Sequence, residues 1–130
     1  FNSLKNLMKN GAKSTLQIIT IADEIFPEYR KRVDFIQKYI FPGGMLPSRK
    51  ALEKQFLQVG LKSINLKSFG SSYSKTLRLW HSSFNSVWDD IASVKFDDRF
   101  KRMWNFYLAS CAAVFYSKTG DVIQVTLKKS

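Results

Sequence analysis

The sequence predicts an α/β fold. Three short stretches, Thr15–Ile21, Leu61–Leu66 and Val122–Leu127, are β-branched or alternate apolar with polar residues, as strands do. Two long apolar stripes separate the last two of them at helical spacing: Tyr73, Leu77, Trp80 and Phe84 running on to Ile91, then Phe100, Trp104, Tyr107, Leu108 and Cys111 running on to Phe115. Helices and strands that alternate in this way predict a sheet layered with helices. No repeat, low-complexity stretch or linker divides the 130 residues, so they are expected to form one unit, 1–130.

Taken in order, Leu4, Leu7 and Met8 have helical spacing, and Asn10-Gly11 stops that helix. Thr15–Ile21 reads as a buried strand ended by Asp23 and Glu24. Tyr29, Val33, Ile36 and Ile40 predict one helix that runs into Phe41-Pro42-Gly43-Gly44-Met45-Leu46-Pro47-Ser48. Pro42 turns Phe41 away from helical geometry, and Gly43 and Gly44 permit a sharp turn. Ser48 is a good N-cap for a helix carrying Leu52, Phe56 and Val59, which Gly60 ends. In Leu61–Leu66, Ile64 and Leu66 alternate against Ser63 and Asn65. Phe69-Gly70-Ser71-Ser72 reads as a turn, and Thr119-Gly120-Asp121 leads into the last strand. Asp89-Asp90 and Asp97-Asp98 read as helix-end charges, because adjacent side chains diverge on a helix.

Composition narrows the function classes. With 45% hydrophobic residues the chain can bury a core. No apolar run reaches the ~18 residues that span a bilayer, and the start does not read as a secretory leader. The chain begins at Phe1, as expected of a piece of a longer protein. One Cys and one His make a zinc site and a disulfide framework poor readings, and point to a reducing compartment. No metal is expected. Cys111 reads as a small buried hydrophobe and His81 as a surface residue. The net charge of +11 favours a polyanion or an anionic membrane surface, against the plainer reading of a basic soluble exterior.

The Pro-Gly stretch has two readings. It is a helix–loop–helix connection, or it sets Tyr39, Phe41, Met45 and Leu46 at the mouth of an apolar pocket. Asp34-Phe35-Ile36-Gln37-Lys38-Tyr39 leading into that stretch resembles the cyclopropane-fatty-acyl-phospholipid synthase and mycolic-acid cyclopropane synthase family. The resemblance continues in Tyr73-Ser74-Lys75-Thr76-Leu77-Arg78-Leu79-Trp80, in Arg99 to Trp104, and in Tyr107-Leu108-Ala109-Ser110-Cys111, ending at Gln124. These motifs keep the family's order and spacing almost from end to end.

The resemblance implies the C-terminal half of a Rossmann-like, S-adenosylmethionine-dependent methyltransferase fold. Its three-stranded mixed sheet would have the last strand central and antiparallel, between two strands parallel to each other. The family adds a methylene from S-adenosylmethionine across a cis double bond of a lipid acyl chain, and uses a bicarbonate ion as base. Tyr107 matches the Tyr whose hydroxyl contacts that ion, and Ile19 a strand residue that offers backbone. Gln17 stands where many members have His; an amide donates a hydrogen bond but cannot carry a proton. Against this, Tyr107 lies on an apolar stripe and also reads as core, and Gln17 as a strand residue paired with backbone. Tyr39, Phe41, Gly43, Gly44, Tyr73 and Trp80 are candidates for the acyl channel, with helix–sheet packing as the other reading of Tyr73 and Trp80. The family's Gly-rich cofactor turn and catalytic Glu lie upstream of everything represented here, so this chain alone is expected to bind no cofactor and to be inactive.

Three functions compete: the substrate-side half of a lipid methyltransferase, a non-catalytic anion- or lipid-binding module, and a nucleic-acid binder. The last has least support, because the aromatics sit at core spacing and not among the basic residues. The first implies unsaturated phospholipid acyl chains as substrate and a cytoplasmic protein peripheral to the inner face of an anionic membrane. The strand Thr15–Ile21 lacks interspersed charges or Pro. Without its upstream neighbour it is expected to pair with a second copy, giving a homodimer or larger assembly through this strand or the helix Phe1–Lys9.

Overall fold

The computed structural model describes residues 1–93 and 95–129. Helix α1 (Asn2–Leu7) leads into β1 (Lys13–Ile21), the short α2 (Phe26–Tyr29), a π-helical turn at Ile36–Ile40, and α3 (Arg49–Gln58). Then come β2 (Leu61–Ser68), α4 (Gly70–Ser86), α5 (Trp88–Ile91), α6 (Asp98–Tyr116) and β3 (Gly120–Lys129). The three strands form one sheet in the order β1-β3-β2. The last strand is central, as expected, and antiparallel to both neighbours. The expected mixed sheet is therefore antiparallel throughout: β1 and β2 run in the same direction but do not touch.

Register divides the residues between two faces. One face carries Leu16, Ile18, Ile123, Val125 and Leu127, packed with Leu52 and Phe56 of α3 and with Leu61. Helix α1 closes this side through Leu4 and Met8, and Phe1 meets Phe56 edge-on at 4.8 Å. The opposite face carries Ile19 paired with Val122 and Gln17 paired with Gln124. At its Val122 end it packs on Leu77 of α4 and on Leu108, Ala112 and Phe115 of α6. The two long helices are pinned by Ser74, whose buried hydroxyl donates to the Ala112 carbonyl at 2.9 Å, and by the Asn85–Asn105 amide pair.

Four expectations change in detail. The single helix from Tyr29 to Ile40 is two pieces, because Asp34 and Gln37 exchange backbone-to-side-chain bonds of 2.8 and 3.0 Å. That reciprocal cap starts a new helix in mid-stripe. The stripe from Tyr73 to Ile91 breaks at Val87, where the Asn85 and Ser86 side chains bond the carbonyls of His81 and Ser83. In β2 a bulge between Ser63 and Asn65 displaces Ile64, which stays exposed instead of joining the core. The expected turn at Phe69–Ser72 is already helix from Gly70. Asp121 caps it from the adjacent strand: one carboxylate oxygen accepts from Gly70 N at 2.9 Å and Val122 N at 2.8 Å, the other from Ser68 Oγ at 2.6 Å. A Cβ at residue 70 would lie 2.6 Å from that oxygen, so the cap requires glycine there.

Candidate functional site

The face of the sheet that carries Gln17 meets α6 along one stripe. Tyr107, Cys111 and Phe115 are spaced by four residues and line up on the sheet-facing side of that helix. The stripe spans about 12 Å at 1.5 Å per residue. At its Phe115 end sits a polar chain. Gln17 Nε2 donates to the Tyr73 hydroxyl at 2.8 Å, and Gln124 Nε2 donates to Gln17 Oε1 at 3.1 Å. The Tyr73 ring lies 5.5 Å from Phe115 and 5.9 Å from Phe69. Gln17 therefore pairs with side chains, not with backbone. Its amide keeps one N–H without a partner among the described residues.

At the other end stands Tyr107. Its ring meets Trp104 at 4.9 Å and Phe41 edge-on at 6.3 Å. Its hydroxyl makes no hydrogen bond to another described residue. Burial, with a smaller push from the Cys111 thiol beside it, raises its pKa above the usual 10, so it stays a neutral donor at physiological pH. Cys111 is itself pushed up to about 11, chiefly by burial and secondly by Asp34, and is an inert thiol there.

The Pro-Gly loop reaches this end because its two ends are tied down. Gln37 Nε2 donates to the Gly44 carbonyl at 2.8 Å, Gly44 N to the Phe41 carbonyl at 2.9 Å, and Leu46 N to the Tyr29 hydroxyl at 3.2 Å. Gly43 takes φ +78° at the bend, and a Cβ on Gly44 would press on Phe41 O at 3.0 Å. Ser48 caps α3 as expected, accepting from Ala51 N. Asp23 accepts from Lys50 N at 2.9 Å. Burial alone would raise the Asp23 carboxyl, but that bond, the Ser48 hydroxyl and the charges of Lys50 and Arg49 outweigh it and hold its pKa low. Across the loop, Phe35 packs edge-on against Phe106 at 4.7 Å and against Tyr39 at 5.3 Å.

Ile19 pairs with Val122 on this face, and its backbone matters more than its side chain. Ile21 N donates to the Pro47 carbonyl, off the edge of the sheet, while Ala22 N donates to Thr119 beside β3. Backbone direction alternates along a strand. The N–H and C=O of Ile19 and Gln17 therefore point off the open edge of β1, with no strand beside them among the described residues.

Of the expected site residues, the structure joins Gln17 to Tyr73, and Phe41 to Tyr107. Tyr39 is half exposed and held by Phe35 and by Lys38, whose ammonium lies 5.1 Å from the ring centre. Trp80 is exposed and meets no other aromatic ring among the described residues, so the structure does not bring it to this wall. Sequence reasoning missed the partners that position the site. Asp34 and Gln37 carry a readable cap signature, D-x-x-Q, whereas the Gln17–Gln124 pair appears only once the strand register is known. Among the described residues no cluster of His, Cys, Asp and Glu could hold a metal, and no helix is long and apolar enough to cross a membrane.

The comparisons with known proteins agree with one another. Tuberculostearic acid methyltransferase UfaA1 of Mycobacterium tuberculosis (strain ATCC 25618 / H37Rv) is 39% identical over 128 residues, which is 98% of this chain and 30% of that protein. Cyclopropane-fatty-acyl-phospholipid synthase of Escherichia coli (strain K12) is 35% identical over 95 residues, 73% of this chain and 24% of that protein. Mycolic acid cyclopropane synthase CmaA1, solved in complex with SAH and CTAB, superposes with a TM-score of 0.84 at 25% identity, over 98% of this chain and 49% of that one. The chain thus spans a third or less of these two curated relatives and about half of the solved neighbour. The expected half of a methyltransferase fold is borne out. The family model described as mycolic acid cyclopropane synthetase matches residues 1–125. The family is one of enzymes that methylate or cyclopropanate lipid chains, and this chain belongs to it.

Proposed function

We propose that this chain is the substrate-side half of a lipid methyltransferase that adds a methylene from S-adenosylmethionine across a cis double bond of a phospholipid acyl chain. The observation that carries the reading is Tyr107: a neutral hydroxyl donor that bonds no other described residue, set beside the rings of Phe41 and Trp104. Aromatic faces favour positive charge developing on an alkene carbon, and an anion beside them takes the proton released as the ring closes.

On this reading a bicarbonate ion at the Tyr107 hydroxyl would supply the proton acceptor that Gln17 cannot be. The second N–H of Gln17, at the far end of the stripe, and the outward backbone N–H of Ile19, at the sheet edge, would join it only if the rest of the protein draws these groups together. S-adenosylmethionine does not fit the residues of this chain. The junction after β1, Ala22-Asp23-Glu24-Ile25, has no glycine, and after β2 the Gly70 N–H is already bonded to Asp121. Tyr39, Phe41, Gly43, Gly44 and Tyr73 line the way in for the acyl chain on this reading, and Trp80 joins them only if another part of the protein covers it. The protein would work in the cytoplasm, at the inner face of an anionic membrane.

The test is methyl transfer from labelled S-adenosylmethionine to unsaturated phospholipid vesicles. The full-length protein is expected to label the lipid; residues 1–130 alone are expected to give no more than the buffer background. Transfer by the isolated chain would overturn the half-domain reading, and no transfer by the full-length protein would leave a non-catalytic lipid-binding module.

The open edge of β1 supports a second proposal for the isolated chain. Beside that edge, Phe1, Ile18, Phe26, Met45 and Leu52 help to line a groove of about 640 Å³. An apolar strand with unpaired N–H and C=O groups recruits a partner strand. In isolation the chain is expected to self-associate through β1 or α1, where the full-length protein has its upstream half. Light scattering at micromolar concentration tests this, and a 15.0 kDa monomer would overturn it.

A further inference from the structure

We propose that the uncovered part of the sheet, on the face shared with Gln17, is the surface through which the protein meets anionic phospholipid headgroups. The strand register assembles it from three distant segments. Lys13 pairs with Lys128 and Lys62 pairs with the same Lys128, so three lysines lie in one row across three strands and on one face. The next row is Thr15, Thr126 and Asn65, and the third is Gln17, Gln124 and Lys67. Helices α4 and α6 cover this face at its Val122 end, where Tyr73 of α4 reaches as far as Gln17, and the two rows beyond are open. Eight of the nine positions are exposed and Thr126 is partly so.

The charge of this face has no partner among the described residues. None of the nine residues is acidic. Neither ion pair among the described residues, Lys31–Glu28 and Arg49–Glu53, involves these four lysines, and no ammonium group of the four donates a hydrogen bond to a described residue. Like charges directly opposite each other across strands repel. With strands about 5 Å apart and rows about 7 Å apart, the four ammonium groups stand over a patch of roughly 10 by 14 Å. An anionic partner relieves that repulsion.

The shape and composition favour a membrane over nucleic acid. The nine residues include no aromatic ring on which a base could stack. The patch is also continuous with the candidate site, since Lys67 lies in the same row as Gln17 and Gln124. A headgroup phosphate held at Lys67 would deliver its own acyl chain toward the face that carries Tyr73. The choice of a lipid among anionic partners rests on the proposed function. The patch itself rests on register and charge alone.

The test uses the full-length protein without methyl donor, co-sedimented with vesicles of equal parts phosphatidylglycerol and phosphatidylcholine. Each lysine at such a surface contributes about fivefold to partitioning, so Lys13→Gln/Lys62→Gln/Lys128→Gln is expected to bind roughly 100-fold more weakly at low salt. Lys62→Gln alone is expected to lose about fivefold. A control with equal charge loss on α4 and α6, Lys75→Gln/Arg99→Gln/Arg102→Gln, is expected to bind nearly as the parent does. Equal loss in both triple variants, or no loss in the first, would overturn the inference. So would displacement of the protein from vesicles by a short oligonucleotide but not by added phosphatidylglycerol. Methyl transfer to detergent-dispersed phospholipid, measured on the same preparations, separates the two readings: the sheet variant is expected to keep it. A parent protein that binds vesicles through the lysine row yet transfers nothing would sink the proposed reaction and leave the surface standing.

Discussion

Tyr107→Phe in the full-length protein is expected to slow methyl transfer by about 10²–10³-fold, the usual consequence of removing one preorganised donor from a developing charge. The substitution keeps the ring, and with it the contacts to Phe41 and Trp104. Because the hydroxyl bonds no described residue, its loss leaves no described group unsatisfied, and stability should change by no more than about 1 kcal/mol. The raised pKa sharpens the expectation. Below that pKa the hydroxyl carries its proton and can donate, so this contribution to the rate is present at neutral pH and is lost only as pH rises through a value above 10. Two measurements check it: turnover on unsaturated vesicles and the denaturant midpoint of the same preparations. If the hydroxyl holds bicarbonate, added bicarbonate should restore part of the rate of the variant. A variant as fast as the parent would return Tyr107 to the packing role that its place on an apolar stripe suggests.

The sequence-based reading reached the sheet order and named the residues of the candidate site, for reasons that can be stated residue by residue. Strand and helix periods are local properties, so Thr15–Ile21, the Ser48 cap and the two long stripes were legible from spacing. Tyr107 was legible only through resemblance, since spacing alone assigns it to the core. What stayed hidden depends on register or on distant partners. The bulge at Ile64 reverses an alternation that the residues themselves display. The helical start at Gly70 is made by Asp121, fifty-one residues away in sequence, and looks like a turn to any local rule. The Gln17–Gln124 bond and the Lys13–Lys128–Lys62 row exist because three strands stop at particular registers. Polar and basic residues on a strand announce exposure; they do not announce which other residues will stand beside them.

The two sides of the sheet should respond differently to the loss of a large core side chain, and that difference tests whether the aromatic stripe positions the site. Phe56 is 2% exposed and fills the α3 side, among Leu52, Leu61 and Leu127. Phe115 is 7% exposed and fills the α4–α6 side, where its ring supports Tyr73 at 5.5 Å. Truncating either buried Phe to Ala should destabilise by about 3–5 kcal/mol, through lost transfer energy and the cavity left behind. A domain of this size holds only about 5–15 kcal/mol in total, so both variants should melt much earlier and remain mostly folded in the cold. Their effects on the polar chain should diverge. Without Phe115, Tyr73 can drop into the vacated space and release Gln17 Nε2 from its 2.8 Å bond. Phe56→Ala lies across the sheet and leaves Tyr73 supported by Phe69 and Phe115. The expected result is equal loss of stability, with the Gln17 side-chain amide resonances and the acyl-chain KM displaced only in Phe115→Ala. Equal displacement in both variants would mean that the sheet transmits strain between its faces. No displacement in Phe115→Ala would mean that Gln17 and Gln124 hold Tyr73 without help from the stripe.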